Sequence, residues 1–328
     1  MPAEWEPHEA TWIAWPHNRS DWPGRYAPIP WVYGEIVRKL SQVERVRILV
    51  KDRELESRAK HVLRKVGAQM EAVEFLECPT NRVWTRDYGP LFVKSRQGDV
   101  ALTWWRFNAW AKYDDFQCDQ RVPDFLALRL KRPIWQLDMV LEGGSIDVNG
   151  KGQLLTTEEC LLSPVQARNP GMSRTEIERM MRDYLAVKHV IWLKNGIAGD
   201  DTHGHVDDIA RFVSADTVVA AWESDRSDAN YAPLAENYRL LRAAGLRVIK
   251  LPMPRPVIFA GRRLPASYAN FYLANRLVLV PTFNDPNDRV ALSVLAKLFP
   301  DREVVGINCT DLIWGLGALH CMSQQQPA

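Results

Sequence analysis

Cysteine is sparse in this chain, and no two cysteines lie close enough in the sequence to suggest a shared site. The five residues are Cys78, Cys118, Cys160, Cys309 and Cys321. An odd number at wide spacings, without a C-x-x-C pair, argues against both a disulfide framework and a cysteine-based zinc site. We therefore expect a protein of a reducing compartment, the cytoplasm.

Long apolar runs and an excess of one charge are also missing. No stretch approaches the length of a membrane span, and the first residues have neither the basic start nor the apolar run of a secretory signal. Lys and Arg number 42 against 40 Asp and Glu, without a basic block, so neither a membrane nor a nucleic acid is an expected partner. The sequence leaves the oligomeric state open, a homo-oligomer included.

What the chain does contain is a recurring order of strand-like and helix-like runs. Val100–Arg106, Ser145–Val148, Gln153–Thr157 and Ser267–Leu273 predict strands, whereas Val122–Leu130 and Arg174–Leu185 predict helices. Asn149–Gly150 predicts a hairpin turn, and Ser173 with Glu176 predicts a capping box that opens a helix. Units of the order strand, strand, helix, strand can be drawn near residues 88–140, 143–195, 208–252 and 267–307, and the first 80 residues hold a comparable amount of structure. Four to five such ββαβ units favour a closed, propeller-like α/β fold, because closure removes exposed sheet edges. A doubly wound sheet is the competing architecture, but several strand pairs are joined by turns too short for a parallel crossover.

Polar residues recur at the leading edge of these units, roughly 50–65 residues apart. They are Asp87, Glu142, His205 with Asp207, Ser267 with Tyr268, and Cys321. Equivalent positions of a pseudo-symmetric ring point towards the same axis. The spacing therefore predicts that these residues converge on one central pocket.

The segment from Gly199 to Asp208 is the most polar stretch, with four carboxylates and two imidazoles in ten residues. A solvated loop is the simplest interpretation. A metal site of His203, His205 and Asp207 is the second, similar to zinc hydrolases of the metallo-β-lactamase fold, although those need further histidines downstream. The third is a general acid and base beside an anionic anchor, since His205 and Asp207 face the same way on an extended backbone.

Two carboxylates stand in settings that suit a planar cation. Asp87 lies in the turn Trp84-Thr-Arg-Asp-Tyr-Gly-Pro, where it either pairs with Arg86 or binds a guanidinium that stacks on Trp84. Glu142 precedes two glycines that permit a close backbone approach or a simple turn. Cys321 is either a small core residue or a nucleophile, and His205 is a better base for it than the adjacent His320, which points the other way on a strand.

In this order and spacing the motifs resemble the agmatine deiminase family, which is related to arginine deiminases and peptidylarginine deiminases. The likeness covers essentially the whole chain. It rests on Trp84-Thr-Arg-Asp-Tyr-Gly-Pro, Glu142-Gly-Gly-Ser-Ile, Leu155-Thr-Thr-Glu-Glu-Cys-Leu-Leu, Gly204-His-Val-Asp, Ser267-Tyr-Ala-Asn-Phe-Tyr and His320-Cys-Met-Ser-Gln-Gln-Gln-Pro. The resemblance implies the five-bladed α/β propeller called the pentein fold, as a single catalytic domain over residues 1–328.

The resemblance also implies a role for each site residue. Cys321 would be the nucleophile, His205 the general acid and base, Asp87 and Asp207 the guanidinium anchors, Glu142 the supporting carboxylate, Trp84 a wall packed on the substrate, and Asp201 the acid near the distal amine of the substrate. Asp147 and His203 depart from the family's pattern, and the resemblance assigns them no role.

The reaction that the resemblance implies is hydrolysis of a small guanidino compound without metal, nucleotide or organic cofactor. Agmatine would give N-carbamoylputrescine and ammonia through a thiouronium on Cys321. The same chemistry on arginine or peptidyl arginine remains open at this point. So do a hydrolase that uses a metal held by His203, His205 and Asp207, and a guanidine-binding module without turnover, although binding alone needs neither Cys321 nor His205.

Overall fold

The computed structural model describes residues 1–328. Its strands in chain order are β1 His8–Ala14, β2 Arg45–Val50, β3 Val73–Glu77, β4 Leu91–Lys94, β5 Val100–Arg106, β6 Ile134–Val140, β7 Asp147–Val148, β8 Gln153–Thr157, β9 His189–Leu193, β10 Ala210–Phe212, β11 Thr217–Trp222, β12 Arg247–Pro252, β13 Ile258–Phe259, β14 Arg262–Arg263, β15 Tyr272–Ala274, β16 Leu277–Thr282, β17 Glu303–Asn308 and β18 Gln324–Pro327. The helices are α1 Ile29–Leu40, α2 Arg53–Val66, α3 Thr85–Tyr88, α4 Val122–Leu130, α5 Glu158–Leu162, α6 Arg174–Leu185, α7 Tyr231–Ala243 and α8 Asn287–Leu298. None of the helices combines the length and the apolar composition that a membrane crossing needs.

Four three-stranded sheets share one topology. In each, an antiparallel pair is followed by a helical connection to a third, parallel strand. These sheets are β4-β5-β6, β7-β8-β9, β10-β11-β12 and β15-β16-β17. The repeated ββαβ order is therefore confirmed, and the separate small sheets rule out the doubly wound alternative.

The fifth sheet joins the two ends of the chain. Its order is β18-β1-β2-β3, with β18 antiparallel to β1 and the remaining pairs parallel. Gln324 and Gln326 of β18 are buried, and the Gln326 Oε1 atom accepts a hydrogen bond of 2.9 Å from Trp12 Nε1. A strand of three glutamines has no apolar alternation, so sequence periodicity alone does not reveal it. With this sheet the five-bladed α/β propeller is complete.

Local sequence signals are confirmed where hydrogen bonding within a few residues decides the structure. Asn149–Gly150 predicts a hairpin turn, and Gly150 has a φ of 67° between the antiparallel strands β7 and β8. Ser173 and Glu176 form the capping box that opens α6. That helix buries Ile177 and Met181, four residues apart on one face.

Two strands predicted from apolar runs are shorter than expected. The run from Ser267 to Leu273 is extended only from Tyr272, because Ser267 Oγ accepts a hydrogen bond from Ala269 N and donates one to Asp208 O. These bonds hold a turn in place of a strand. The predicted strand Ser145–Val148 likewise begins only at Asp147.

Candidate active site

A cavity of about 250 Å³ opens where the five sheets meet. Asp87 and Cys321 line it at one end, and Trp84 and Trp110 contribute aromatic walls. The other lining side chains include charged and polar residues, among them Asp21, Arg82, Tyr113, Asp201 and Arg262. The cavity thus offers carboxylates, cations and flat rings within one small volume.

The site residues come from five separate turns. Each turn immediately precedes the first strand of an antiparallel pair, that is β4, β7, β10, β15 or β18. The residues are Asp87, Glu142, His205 with Asp207, Asn270, and Cys321. The structure therefore brings together Asp87, Glu142, His205, Asp207 and Cys321, as the spacing predicted. From the fourth turn it contributes Asn270, whereas Ser267 donates its hydroxyl to Asp208 O and Tyr268 donates its hydroxyl to Asp288 Oδ1, each at 2.7 Å.

Cys321 is almost fully buried, with 5% of its surface exposed. Its Sγ lies 3.0 Å from Asn270 Nδ2 and 3.8 Å from Asp207 Oδ2. Burial and the negative charges of Asp207 and Asp208 raise the pKa of the thiol well above its usual range. In the free protein Cys321 is therefore a neutral thiol, and a cation that screens these carboxylates would favour the thiolate.

His205 is fully buried, and neither ring nitrogen has a hydrogen-bond partner. Its Nε2 lies 3.8 Å from Glu142 Oε2, and its Nδ1 lies 3.8 Å from Asp87 Oδ1 and 4.0 Å from Asp207 Oδ1. Burial opposes a charge on the ring, but the surrounding carboxylates outweigh it and raise the pKa of His205 well above its usual value. An imidazolium with no fixed partner is free to donate its proton to a bound molecule.

Asp87 is held by two neutral donors. Trp110 Nε1 donates to Oδ2 at 2.9 Å, and the backbone N–H of Gly144 donates to Oδ1 at 3.1 Å. Burial raises the pKa of Asp87 to about 6, despite the opposing charge of His205. A Cβ at residue 144 would stand 2.5 Å from His205 Nδ1, so the glycine allows the imidazole and this turn to pack together.

Glu142 has a cationic partner that the sequence prediction missed. Arg168 Nε lies 2.8 Å from Glu142 Oε1, and neither side chain is exposed to solvent. Burial alone would raise the pKa of Glu142, but Arg168 and His205 lower it to about 2. Arg168 lies in an irregular segment between α5 and α6, without any motif that sets it apart in the sequence.

Asp207 is fixed by His320, also outside the predicted set. His320 Nδ1 lies 2.7 Å from Asp207 Oδ2, and its Nε2 lies 2.8 Å from Glu4 Oε2. Burial alone would raise the pKa values of Asp207 and Glu4, but their contacts with His320 and the nearby charge of Arg211 lower both. His320 contacts Asp207 only at Oδ2, which leaves Asp207 Oδ1 without a partner.

Asp147 supports the same network from behind. Arg211 Nε donates to Asp147 Oδ1 at 2.8 Å, and Arg211 Nη2 donates to Glu4 Oε2 at 2.8 Å. Asp147 also accepts from the backbone N–H of Phe212. The residue that departs from the family pattern is therefore a partner of a buried arginine, remote from the thiol.

The proposed metal ligands His203, His205 and Asp207 do not form a ligand set. His203 has a φ of 63°, and its Nε2 contacts Ser163 Oγ at 3.2 Å, away from His205. The His, Cys and carboxylate groups that do lie within reach of a common ion are Glu142, Cys160 and His205. Of these, Glu142 already pairs with the Arg168 guanidinium through Oε1. The metal interpretation of this segment was wrong, because His203, with its positive φ, places its ring against Ser163 and not with His205 and Asp207.

Trp84 and Asp201 lie along the cavity as expected. Trp84 packs against Trp22, with ring centroids 5.8 Å apart, and a Cβ at residue 317 would approach its ring to 2.8 Å. Asp201 is already occupied, since Lys112 Nζ lies 2.5 Å from Oδ1 and Tyr113 donates its hydroxyl to Oδ2 at 2.6 Å.

Comparison with known proteins agrees with this architecture. Residues 1–327 match the model of the Porphyromonas-type peptidyl-arginine deiminase family. The chain is 36% identical to an agmatine deiminase of Pseudomonas aeruginosa and 34% identical to one of Ectopseudomonas mendocina, with 100% of the chain and 95% of each relative covered. An amidinotransferase of Microseira wollei, at 10% identity and a TM-score of 0.53, shares the fold alone.

Two solved structures are similar over the full chain. One is C. jejuni agmatine deiminase as a cysteine-to-serine variant with substrate bound, at 31% identity and a TM-score of 0.92, covering 100% of this chain and 96% of that one. The other is agmatine deiminase of Enterococcus faecalis, also at 31% identity and a TM-score of 0.92, covering 100% and 95%. The fold, the full-length family match and these relatives together show that the chain belongs to the Porphyromonas-type peptidyl-arginine deiminase family.

Proposed function

We propose that this protein hydrolyses the guanidinium group of agmatine to N-carbamoylputrescine and ammonia, with the whole chain acting as one catalytic domain. The observation that carries this proposal is the convergence of a thiol, an unpartnered imidazole and two carboxylates: Cys321 and Asp87 line a single cavity, and His205 and Asp207 are buried directly beside them. The family match supports deimination, and the agmatine deiminases among its relatives support agmatine as the substrate.

Binding places the cation between two anions. Asp87 and Asp207 accept hydrogen bonds from the guanidinium nitrogens, and Trp84 and Trp110 flank its plane. Asp207 is suited to this role because His320 engages only its Oδ2, which leaves Oδ1 for the substrate. The bound cation also screens the carboxylates that raise the thiol pKa, so the proton of Cys321 leaves for solvent as the substrate enters.

The thiolate then adds to the guanidinium carbon and gives a neutral tetrahedral adduct. His205, protonated in the free protein, donates its proton to the departing nitrogen, the C–N bond breaks and ammonia leaves. A thiouronium cation remains on Cys321. Neutral His205 removes a proton from the attacking water, the C–S bond breaks, and the thiolate and the ureido product separate. The last proton passes to ammonia, so guanidinium and water become a ureido compound and ammonium.

Glu142 and Arg168 support the imidazole. Glu142 Oε2 lies 3.8 Å from His205 Nε2 and stays anionic beside Arg168, which favours the imidazolium needed for the first proton transfer. Asn270 donates to Sγ and so stabilises the negative charge that develops there. All five cysteines are free, in keeping with a reducing cytoplasm as the site of this chemistry.

The experiment that tests the proposal is ammonia release from agmatine by the purified protein with a chelator present, with the ureido product identified by mass. Release at a rate that saturates with agmatine is the expected result. Arginine and a peptide with a terminal arginine are assayed in parallel. Activity on either of these without activity on agmatine would keep the chemistry and overturn the substrate.

A further inference from the structure

Lys112 and Asp201 form a contact at the cavity that the proposed reaction does not use. Lys112 Nζ lies 2.5 Å from Asp201 Oδ1, and the Tyr113 hydroxyl lies 2.6 Å from Asp201 Oδ2. Asp201 lines the cavity that ends at Cys321. Both oxygens of the carboxylate suited to a distal amine are therefore occupied in the free protein.

The group that occupies Asp201 is chemically the tail of the proposed substrate. A lysine side chain is a four-carbon chain that ends in an ammonium, and agmatine carries the same aminobutyl chain on its guanidine. Two ammonium groups that need the same carboxylate oxygen compete for it, because each carries a full positive charge and the same three donors.

The backbone around Lys112 holds it at this position. Ala109, Trp110 and Ala111 have φ values of 48°, 59° and 53°, three consecutive left-handed residues without a glycine. This costly conformation is held at its centre by the Trp110 hydrogen bond to Asp87. One short segment therefore contacts the carboxylates proposed for both ends of the substrate.

The Lys112 side chain can leave without moving that segment. It is 39% exposed, whereas Asp201 is 12% exposed, so the ammonium can turn into solvent while the carboxylate stays in the wall. Tyr113 still holds the second oxygen of Asp201 after Lys112 departs. The cost of departure is small, because a partly exposed ion pair is weak.

We infer that Lys112 is a specificity-determining residue that occupies the amine subsite at Asp201 in the free protein and is displaced by the ammonium of an amine-terminated alkylguanidine; this rests on the proposed function. Only a ligand with a cationic tail can replace the ion pair that Asp201 loses when Lys112 is displaced. A ligand with a neutral tail forms no such ion pair, so Lys112 stays bound to Asp201.

The test measures binding by calorimetry in a Cys321→Ser background, so that turnover does not interfere. The ligands are agmatine and butylguanidine, which differ only by the terminal amine. Lys112→Met is expected to lower the Kd for agmatine about two- to fivefold and to leave the Kd for butylguanidine unchanged. Lys112→Arg keeps the charge and is the matched control; it should not tighten agmatine.

A double-mutant cycle with Asp201→Asn separates competition from a general change in local charge. Lys112→Met should have no effect on agmatine once Asp201 is neutral. A weaker or unchanged Kd for agmatine in the Lys112→Met protein, an equal change for butylguanidine, or an effect that persists in the Asp201→Asn background would each overturn the inference.

Ammonia release by the protein with Cys321 intact keeps the two proposals apart. If agmatine binds with the expected pattern but is not hydrolysed, the amine subsite stands and the proposed reaction fails. If agmatine is hydrolysed but Lys112→Met does not tighten it, the reaction stands and the role of Lys112 fails. Absence of agmatine binding would overturn both.

Discussion

The two ends of the cavity treat charge in different ways. At the end beside Cys321 and Asp87, here called the floor, Glu142 and Arg168 have no solvent exposure, and His205 and Asp207 are equally buried. At the end beside Asp201, here called the mouth, Lys112 and Asp201 keep part of their surface in water. Buried charges cannot exchange a protein partner for water without a large cost, whereas exposed ones can.

This difference assigns distinct tasks to the two ends. The floor fixes protonation states and geometry, as the proposed chemistry requires, and tolerates little change. The mouth holds ion pairs that a ligand can replace, as substrate selection requires. Substitutions at the floor should therefore cost far more than comparable substitutions at the mouth.

The largest effect is expected for Cys321→Ala. Loss of the proposed nucleophile should reduce kcat with agmatine by at least about 10⁴-fold, because the proposed thiouronium forms on this sulfur. Calorimetry should find the agmatine Kd within about threefold of the wild-type value, since the anchoring carboxylates remain. Substantial residual turnover would contradict the covalent mechanism.

Arg168→Met breaks a fully buried ion pair. It leaves Glu142 as an unpaired buried anion, so the free energy of unfolding should fall by about 3–5 kcal/mol in urea denaturation. The control is Arg182→Met, which removes the exposed partner of Glu178 and should cost no more than about 1 kcal/mol. Equal losses of unfolding free energy in the two variants would contradict the predicted difference between buried and exposed ion pairs.

Asp87→Asn keeps the shape of the side chain and removes the charge of one proposed guanidinium anchor. We expect kcat/KM for agmatine to fall by about 10²-fold or more, as for loss of a buried charge-assisted contact. Steady-state ammonia release measures this. Near-normal kinetics would place the guanidinium elsewhere in the cavity.

The raised pKa of Asp87 predicts two pH effects. Below about pH 6 its carboxyl is protonated, so kcat/KM should fall as the pH is lowered through that value, and the pH profile of ammonia release measures this.

The second effect is on stability. The pKa of Asp87 in the folded protein exceeds the ordinary aspartate value of 3.8, so between pH 3.8 and about pH 6 the folded state holds a proton that the unfolded state lacks. The stability contributed by this proton is present at low pH and lost as pH rises through about 6. Thermal unfolding of Asp87→Asn should lack that component, and identical pH profiles for the two proteins would contradict it.

The smallest effect is expected at the mouth. Asp201→Asn should raise KM for agmatine by about tenfold or less and leave butylguanidine nearly unchanged, because only the charged tail uses this carboxylate. Parallel kinetics with the two compounds measure the difference. An equal change in KM for agmatine and butylguanidine would show that Asp201 supports the cavity wall but does not bind the amine.

Sequence reasoning located the parts of the site that recur with the fold. Asp87, Glu142, His205, Asp207 and Cys321 were found because each lies before the first strand of an antiparallel pair, and the ββαβ order was readable from apolar runs. Asn270 belongs to the Ser267-Tyr-Ala-Asn-Phe-Tyr motif, where the apolar run predicted a strand. The structure has a turn there instead, and this turn places the Asn270 amide 3.0 Å from Cys321 Sγ.

The partners of these residues were not predictable in the same way. Arg168 pairs with Glu142 across 26 residues of chain, and Glu4 reaches His320 across 316. Neither belongs to a periodic pattern. The metal interpretation failed for a related reason, since spacing along an extended strand assumed a backbone that His203, with its positive φ, does not adopt.

The sequence by itself determined most of the secondary structure, the repeated units and the chemical groups available, because apolar periodicity, capping and turn chemistry act over a few residues. Only the tertiary structure decided how those groups are charged. Burial and through-space partners separate the pKa of Glu142, about 2, from that of Asp87, about 6, although both are carboxylic acids. The same packing puts Lys112 on Asp201, 89 residues away in the chain. These contacts depend on how the five sheets meet, and electrostatic energies follow distances in space, not positions in sequence.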